Sequence, residues 1–400
     1  MSNYKYNNMT EKNLNIIPDR LNTIESMVEG KVIDSIIDFK TNSESFDSVV
    51  EDIRDLLPKK YIDFTKAIED LGGRLLYIKS GSTGHTFKGV YPTKESSNKP
   101  NYAVKIVAYP KKEKYGDMYN PNRPENAELL MIKLLSSFVR KNQTPHIVLP
   151  ITTFNTSIKP FLNLKKDDIV NNKKYDDFLR KYKNGQYYKN VSVLISEWAN
   201  SGDLLDYIRK NIDHLKLKHW RSICFQFLSC LAIIQAKYPS FRHNDLKANN
   251  VLVHTIAKNS KKKKFMYKIN GQYYIVPNVG FQLKLWDFDF ACIPGLINNS
   301  KVEAKWTNEI NIKPEQNRYY DVHYFFNTLT RKGFVNNFWG NKNVPTKIKE
   351  FIKRIIPDKY KKGKKVSERG RLLENIEYLT PDEILKKDPL FKIMRYDKQD

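Results

Sequence analysis

The stretch HNDLKANN, residues 243–250, decides the fold of this 400-residue chain. It follows a segment with helical periodicity and leads into the apolar residues 251–253. A second motif, LWDFDF at 285–290, lies downstream, and AVK at 103–105 lies upstream in a run typical of a β-strand. Each of the three motifs is a weak signal alone. Their order, and their predicted placement on strands and loops, make them specific together.

Residues 74–199 have the pattern of a small antiparallel sheet with one helix. The helix is predicted at 125–139, directly after Pro124, a residue that favours the first helical turn. The Lys- and Asn-rich residues 155–190 are expected to form a surface insertion between the last two strands. The short runs rich in Val, Ile and Tyr that predict strands are 74–81, 85–91, 102–109, 146–154 and 191–198.

Residues 200–400 have a mainly helical pattern. Apolar residues three and four positions apart predict a helix at 217–238. An insertion at 254–283 contains a predicted hairpin with Asn270 and Gly271 at its turn, because both residues tolerate the positive φ that such turns need. The chain thus reads as a small sheet with one helix followed by a helical region, an α+β order.

The two ends of the chain are rich in charge. Residues 1–73 are predicted to form an N-terminal helical extension, with helix-like segments such as 45–57, and residues 341–400 form a basic, helix-like tail. A run of four lysines at 261–264 precedes the hairpin. A solvated loop is the simpler interpretation of that run, and contact with an anionic partner is the alternative.

Residues 243–250 and 285–290 resemble the motifs of the protein kinase superfamily. H-N-D-L-K-x-x-N stands where that family has H-R-D-L-K-x-x-N, and D-F-D stands where it has D-F-G. With gaps, the similarity covers about residues 74–331. The resemblance implies a bilobal protein-kinase-like fold, with a lobe at 74–199 and a mainly helical lobe at 200–400.

The resemblance also implies Mg-ATP as cofactor and a role for each motif residue. Phosphoryl transfer depends mostly on positioning and on neutralising the negative charge of the γ-phosphate. Asp245 would accept the proton of the attacking hydroxyl, and Lys247 would neutralise the γ-phosphate. Asn250 and Asp287 would bind magnesium through oxygen atoms, which this hard cation prefers.

The remaining catalytic and nucleotide-binding residues are implied in the same way. Lys105 would pair with the α- and β-phosphates and be held by a Glu of the helix, with Glu128 favoured over Glu125. Asp321 resembles the buried helix aspartate that fixes the catalytic loop, and His243 would stack with Phe288 and Ile132 in the hydrophobic spine. The residues expected around the nucleotide are Gly81 and Gly84 of a degenerate Gly-rich loop, Ala103 and Leu252 on either side of the adenine, Glu197 and Ala199 at the hinge, and Asp203 at the ribose.

Three departures from the family pattern matter. Asn244 replaces the Arg that reads an activation-loop phosphate, so control by that ion pair is not expected. Asp289 replaces a Gly, and its carboxylate would either bind magnesium or restrict the inactivating flip. The segment 287–321 is short and lacks a convincing A-P-E, since Lys313-Pro314-Glu315 lies too near Asp321. These features together resemble the divergent serine/threonine kinases of poxviruses and giant DNA viruses.

That narrower resemblance implies protein substrates such as viral structural proteins and a location in the host cytoplasm, with packaging in the virion as an option. The formal charge of +25 leaves nucleic acid open as a partner, through non-specific charge alone. No apolar run approaches the roughly 18 residues of a membrane span. Three cysteines, none in a C-x-x-C pair, are expected to be apolar fillers in a reducing compartment.

Two other functions compete with a protein kinase. A small-molecule kinase of the choline or aminoglycoside type shares an H-x-D-x-x-x-x-N loop and often a D-x-D-like metal motif, which Asp287 and Asp289 would supply. Lys247 and the helix of Asp321 argue against it. A pseudokinase scaffold or a basic nucleic-acid-binding module is the third hypothesis, and the complete set of catalytic groups argues against that.

Overall fold

The computed structural model describes residues 17–39, 50–57, 59–81, 83–91, 100–164, 173–256 and 263–396. These residues form two compact units. The first unit takes its residues from 1–39, 58–111 and 150–198, and the second from 40–57, 112–149 and 199–400. The α+β prediction is confirmed, with an antiparallel sheet in the first unit and most of the helices in the second.

A five-stranded antiparallel sheet in the order β1-β2-β3-β5-β4 forms the centre of the first unit. Its strands are β1 (Arg74–Ser80), β2 (Gly84–Val90), β3 (Tyr102–Pro110), β4 (Pro150–Ser157) and β5 (Tyr187–Glu197). Successive side chains of a strand point to opposite faces. In β3, Tyr102, Val104 and Ile106 are buried on one face, whereas Ala103 and Lys105 are half-buried on the other.

The N-terminal extension covers the outer edge of this sheet. It contains the helices α1 (Ile17–Val28) and α2 (Phe64–Leu71). Between these helices, the N–H of Ile36 donates to the carbonyl of Ile151 at 3.0 Å, and the N–H of Asn155 donates to the carbonyl of Lys60 at 2.8 Å. Because β4 is the last strand of the sheet, these bonds satisfy backbone groups that an exposed edge strand would leave open to another chain.

A buried ion pair attaches α1 to the end of β5. The Arg20 guanidinium donates from Nε to Glu197 Oε2 at 3.1 Å and from Nη2 to Oε1 at 2.5 Å. The Arg20 side chain is 0% exposed and that of Glu197 is 9% exposed. Glu197 lies opposite Tyr102 in the sheet, so its carboxylate is on the face away from Ala103 and Lys105. The extension therefore binds Glu197, the predicted hinge residue, on the face of the sheet opposite to Ala103 and Lys105.

We expect Arg20→Met to lower the free energy of unfolding by about 3 kcal/mol, because it removes the bidentate guanidinium from a buried carboxylate. Lys60→Met is the matched control, since it breaks the exposed Lys60–Asp34 pair of the same extension and should cost under about 1 kcal/mol. Urea unfolding of both variants measures the difference. Equal midpoints for the two variants would contradict a structural role for the buried pair.

The insertion at 155–190 is more structured than the polar pattern indicated. The strands β4 and β5 extend into it, and its helix α4 (Lys173–Lys183) buries Tyr175 and Phe178. These two rings pack on His85 of β2, with centroid distances of 5.5 and 4.5 Å. Burial lowers the pKa of His85 to about 4, so the imidazole is neutral at physiological pH. Residues 165–172 lie outside the described part of the chain.

The second unit contains the predicted central helices and two small sheets. Its helices are α3 (Pro124–Arg140), α5 (Leu204–Asn211), α6 (Leu217–Lys237), α7 (Lys305–Asn308), α8 (Tyr320–Leu329), α9 (Thr346–Ile355) and α10 (Pro381–Lys387). The helix predicted at 125–139 is thus confirmed as α3, with Pro124 in its first turn, and it belongs to the second unit rather than to the sheet. The helix predicted at 217–238 is confirmed as α6.

The small sheets are β6 (Val251–Thr255) with β9 (Phe281–Leu285), and β7 (Lys264–Ile269) with β8 (Gln272–Pro277) and β10 (Arg395–Tyr396). The predicted hairpin is confirmed. Asn270 and Gly271 have φ of 46° and 87°, as a two-residue turn with positive φ at both positions requires. Lys263 and Lys264 of the lysine run are exposed, while residues 261–262 lie outside the described ranges.

One strand prediction and one helix prediction were wrong. The strand predicted at 146–154 begins at Pro150, because residues 146–149 belong to the second unit, where Ile147 forms a parallel bridge with Leu285 of β9. In place of a helix at 45–57, the described residues 50–57 hold one 3-10 turn, Ile53–Asp55, capped by the Asp52 side chain.

The three cysteines are buried, as predicted for apolar fillers. Burial raises the pKa of the Cys230 and Cys292 thiols to about 12, and it also raises that of Cys224. These thiols are therefore poor nucleophiles. Over the described ranges, no helix is long and apolar enough to cross a membrane.

Candidate active site

The loop 243–250 is fixed at its start by Asp321, the second residue of α8. The backbone N–H of His243 donates to Asp321 Oδ2 at 2.8 Å, and that of Asn244 donates to Oδ1 at 3.0 Å. Asp321 is fully buried, and burial raises its pKa although the nearby cationic groups and the two N–H donors oppose the rise. Asn244 adopts φ of 64°, a left-handed conformation that Asn tolerates better than most residues. The contact expected of Asp321 is present.

This anchor places the carboxylate of Asp245 among three donors. Lys247 Nζ lies 3.0 Å from Oδ2, and Asn250 Nδ2 lies 2.9 Å from Oδ2 and 2.8 Å from the backbone oxygen of Asp245. The third donor is Arg371, whose Nη2 contacts Oδ1. The structure therefore brings together the three residues of this loop to which the sequence assigned catalytic and metal roles. The Asp245 side chain is 14% exposed, so a substrate hydroxyl still has access to it.

The motif at 285–290 is tied to the same loop. The N–H of Trp286 donates to the carbonyl of Asn250 at 3.2 Å, and the His243 imidazole Nε2 lies 3.0 Å from the Trp286 carbonyl oxygen. Phe288 packs on the His243 ring with a centroid distance of 5.2 Å, as predicted. Asp287, with φ of 65°, directly follows the residue that is bonded to Asn250. The two predicted magnesium ligands are thus held at neighbouring backbone positions.

The donor set of the second unit fits a magnesium ion that takes part of its coordination from phosphate and water. The amide nitrogen of Asn250 donates to Asp245, which leaves its Oδ1 available to a cation. Asp287 adds a carboxylate, and oxygen donors of this kind suit Mg²⁺. Among the described residues there is no group of three or more His, Cys, Asp or Glu side chains that could hold a metal.

Asp289, which the sequence offered as a further magnesium ligand, forms an ion pair with Lys301. The Lys301 ammonium also lies 3.9 Å from the centroid of the Phe290 ring, and Asn299 Nδ2 donates to the Asp289 carbonyl at 3.0 Å. In the structure the extra carboxylate therefore anchors the segment that follows D-F-D.

The short segment 287–321 is also held at three of its backbone carbonyls. Arg242 donates to the carbonyls of Asn311 at 2.6 Å and Glu315 at 3.1 Å. Asn244 Nδ2 donates to the carbonyl of Phe290 at 3.1 Å. These bonds hold the segment through backbone acceptors, and Asn244, which stands where the family has its phosphate-reading Arg, donates one of them.

In the first unit, the residues predicted to face the nucleotide share one face of the sheet. Lys105 lies directly opposite Thr86 of β2 and Leu194 of β5, and Ala103 lies opposite Ser196. Directly opposed residues of an antiparallel pair project to the same side. Ala103 and Lys105 are therefore neighbours on one surface, with the small side chain of Ser196 beside them.

The two glycines of the degenerate Gly-rich loop differ in what they require. The N–H of Gly81 donates to the carbonyl of Gly84 at 2.7 Å, which closes the turn between β1 and β2. A Cβ on Gly84 would lie 1.7 Å from the carbonyl oxygen of Ile106 in β3, whereas a Cβ on Gly81 would meet nothing nearer than 3.7 Å. Close strand packing thus explains Gly84, a reason that the phosphate-binding pattern did not reveal.

Gly84→Ala should lower the free energy of unfolding by about 2 kcal/mol or more, because the new methyl group forces β2 away from β3. Gly81→Ala is the matched control, and its unfolding free energy should stay near that of the wild type. Thermal and urea unfolding measure both variants. A Gly84→Ala protein as stable as Gly81→Ala would refute the steric account.

Several predicted binding residues also have structural contacts. The Asp203 side chain caps α5 by accepting the N–H of Asp206 at 2.9 Å, and its backbone forms a bridge with Leu252 of β6. The structure therefore brings the predicted ribose and adenine contacts of the second unit together. Ala199, the first residue of the third stretch of this unit, is buried.

Both candidate glutamates of α3 are buried. Arg123 Nε lies 3.2 Å from the Glu125 carboxylate, whose pKa is raised chiefly by burial. Glu125 is thus engaged by Arg123. The assignment of Glu128 as the partner of Lys105 stays a prediction.

Arg371 is the site residue that the sequence did not predict. It lies 126 positions beyond Asp245, in the tail, and belongs to none of the motifs. Its contact with Asp245 depends on the tertiary fold, and no local sequence pattern indicated it.

Comparison with known proteins identifies the class as protein kinases. The model of the family described as "Poxvirus serine/threonine protein kinase" matches residues 105–392. A relative from Acanthamoeba polyphaga mimivirus, named "Putative serine/threonine-protein kinase R400", is 42% identical over 388 residues, 95% of this chain and 81% of the relative. Another protein of that virus, "Putative serine/threonine-protein kinase R301", is 32% identical over 102 residues, 25% of this chain and 26% of its own. The chain belongs to the poxvirus serine/threonine protein kinase family.

Proposed function

We propose that this protein transfers the γ-phosphate of ATP to serine or threonine hydroxyls of proteins, with magnesium as the metal. The observation that carries the proposal is the arrangement of Asp245, whose carboxylate is held by Lys247 and Asn250 and remains accessible. A positioned carboxylate of this kind accepts the proton of the attacking hydroxyl.

Each remaining residue has one task in this proposal. Lys105 binds the α- and β-phosphates and is held by Glu128, while Lys247 neutralises charge on the γ-phosphate. Asn250 and Asp287 hold the magnesium, which when bound neutralises charge on the phosphate oxygens. The residues proposed to surround the nucleotide are Gly81, Gly84, Ala103, Glu197, Ala199, Asp203 and Leu252.

Two contacts favour a protein substrate over a small molecule. Asp289 pairs with Lys301, so the D-F-D stretch supplies fewer metal ligands than a D-x-D motif would. Lys247, the residue that argues against a small-molecule kinase in the sequence, contacts the base directly. We propose viral structural proteins as substrates, the host cytoplasm as the location and the virion as a further one. Nucleic acid would bind through non-specific charge.

Asp245→Asn should lower phosphate transfer from radiolabelled ATP to casein or a basic protein by about 100-fold or more, because the amide accepts no proton. Chelation of Mg²⁺ should abolish transfer, and Lys105→Met should weaken productive ATP positioning. Asp358→Asn is the matched control, since this carboxylate is 94% exposed and pairs with Lys361. It should leave the rate unchanged.

The proposal fails if Asp245→Asn transfers phosphate at the wild-type rate. Faster transfer to choline or an aminoglycoside than to protein would identify a small-molecule kinase instead. Salt-dependent DNA binding without ATP turnover would identify a binding module.

A further inference from the structure

We propose that Arg371 is a positioning residue for Asp245: it binds Oδ1 and leaves one lone pair of that oxygen to receive the substrate hydroxyl. The inference rests on the proposed function, in which Asp245 is the base. Arg371 lies in a tight loop whose ends are joined by an antiparallel bridge between Val366 and Leu372. Its guanidinium reaches Asp245 Oδ1 through Nη2.

The Arg371 side chain is fixed on several sides. Nη1 donates to the carbonyl of Asn244 and to the hydroxyl of Tyr320, the latter at 3.1 Å. The guanidinium carbon also lies 4.1 Å from the centroid of the Tyr324 ring, and the residue is 6% exposed. An exposed arginine samples many rotamers, whereas this one is held by a carbonyl, a phenol and an aromatic face. It is therefore built into the site rather than resting on it.

The loop that carries Arg371 is itself closed by short bonds. The N–H of Ser367 donates to the carbonyl of Arg371 at 2.8 Å, and the Ser367 hydroxyl accepts the N–H of Arg371 at 3.0 Å. Gly370 turns the chain with φ of 90°, a conformation that favours glycine. The backbone of Arg371 is therefore as fixed as its side chain.

The hydrogen-bond arrangement on Asp245 defines what Arg371 adds. Lys247 and Asn250 both donate to Oδ2, and two donors occupy the two lone pairs of that oxygen. Without Arg371, all the side-chain donors would lie at one oxygen and the carboxylate plane could tilt about them. Arg371 binds Oδ1 and uses one of its lone pairs, so the plane is set and the other lone pair of Oδ1 is left for the hydroxyl.

Arg371 also fixes the backbone next to the base. Its Nη1 donates to the backbone carbonyl of Asn244, the residue directly before Asp245. Arg242, two positions before Asn244, donates to the backbone carbonyls of Asn311 and Glu315 in the segment 287–321. The Arg242 guanidinium thus holds that segment, and the Arg371 guanidinium, from the tail, holds Asp245. Arg371 keeps its positive charge. Burial lowers the pKa of its guanidinium, but Tyr320, Tyr324 and the Asp245 carboxylate outweigh that effect and raise the pKa above its ordinary value.

The test compares Arg371→Met and Arg371→Lys with Arg369→Met, the matched control. Arg369 lies on the same loop and is exposed. For each full-length protein, kcat, the KM for ATP and the melting temperature are measured with one protein substrate. We expect Arg371→Met to lower kcat by about 10- to 100-fold, because a misplaced base loses its alignment with the hydroxyl. The KM for ATP should change by less than about 2-fold, since Arg371 has no task in nucleotide binding.

Arg371→Lys should give a kcat between those of the wild type and Arg371→Met, because one ammonium reaches Oδ1 but does not reproduce the fork that also holds the Asn244 carbonyl. Arg369→Met should match the wild type. A folded Arg371→Met protein with wild-type kcat, or wild-type kcat in Arg371→Lys, would overturn the inference. Should Arg371→Met not fold, Arg371→Lys decides alone: reduced kcat at unchanged KM for ATP and melting temperature supports the inference.

Failure of the proposed function is a separate outcome. In that case the wild type itself transfers no phosphate, or Asp245→Asn is as active as the wild type. Failure of the present inference leaves the wild type active and Asp245→Asn inactive, while Arg371→Met retains its rate.

Discussion

The buried carboxylate of Asp321 is the contact on which the rest of the candidate site depends. Burying a carboxylate is costly unless its oxygens are hydrogen-bonded, and here each oxygen accepts one backbone N–H of the loop. Those two bonds fix the two peptide groups on either side of the His243 Cα. Asp245 follows directly, and Asn250 is bonded back to it, so the geometry of the base is set from the loop's start. The His243 ring in turn contacts the Trp286 carbonyl oxygen and the Phe288 ring, so the motif at 285–290 is positioned by the same loop.

The N-terminal extension, the helix α4 and the C-terminal tail each pack on elements that carry candidate site residues. The N-terminal extension pairs with β4 and grips Glu197 through Arg20, and the helix α4 packs its aromatic rings on His85 beside the Gly-rich turn. In the second unit, the tail supplies Arg371 and the segment after D-F-D is held by Arg242 and Lys301. Functional side chains need such support, because a site on unsupported loops loses its alignment. The basic residues therefore do more here than give the chain its net charge of +25.

The sequence predicted what is local and periodic. The helix α6, the start of α3 at Pro124 and the Asn270-Gly271 hairpin follow from patterns within a few residues, and the structure confirms them. The loop 243–250 was predicted because its groups are close in sequence as well as in space. The bounds of β4 were wrong because Ile147 pairs with Leu285, a partner that no local pattern indicates.

The residues that the sequence missed act across long separations. Arg371 reaches Asp245 from 126 positions away, and its own surroundings contain no motif. The pairing of Asp289 with Lys301 and the packing that demands Gly84 depend likewise on tertiary neighbours. A single sequence shows which chemical groups a side chain carries. Which residue that side chain contacts is determined by the tertiary packing.

Hydrogen exchange at the backbone amides of His243 and Asn244 tests the central role of Asp321 most directly. In the wild type both amides should exchange slowly, because they are bonded to a buried carboxylate in the core of the second unit. In Asp321→Asn, which supplies one acceptor oxygen in place of two, at least one of the two amides should exchange faster by about 10-fold or more, while the protection of the α6 amides stays unchanged. Wild-type protection of both amides in that variant would contradict the account.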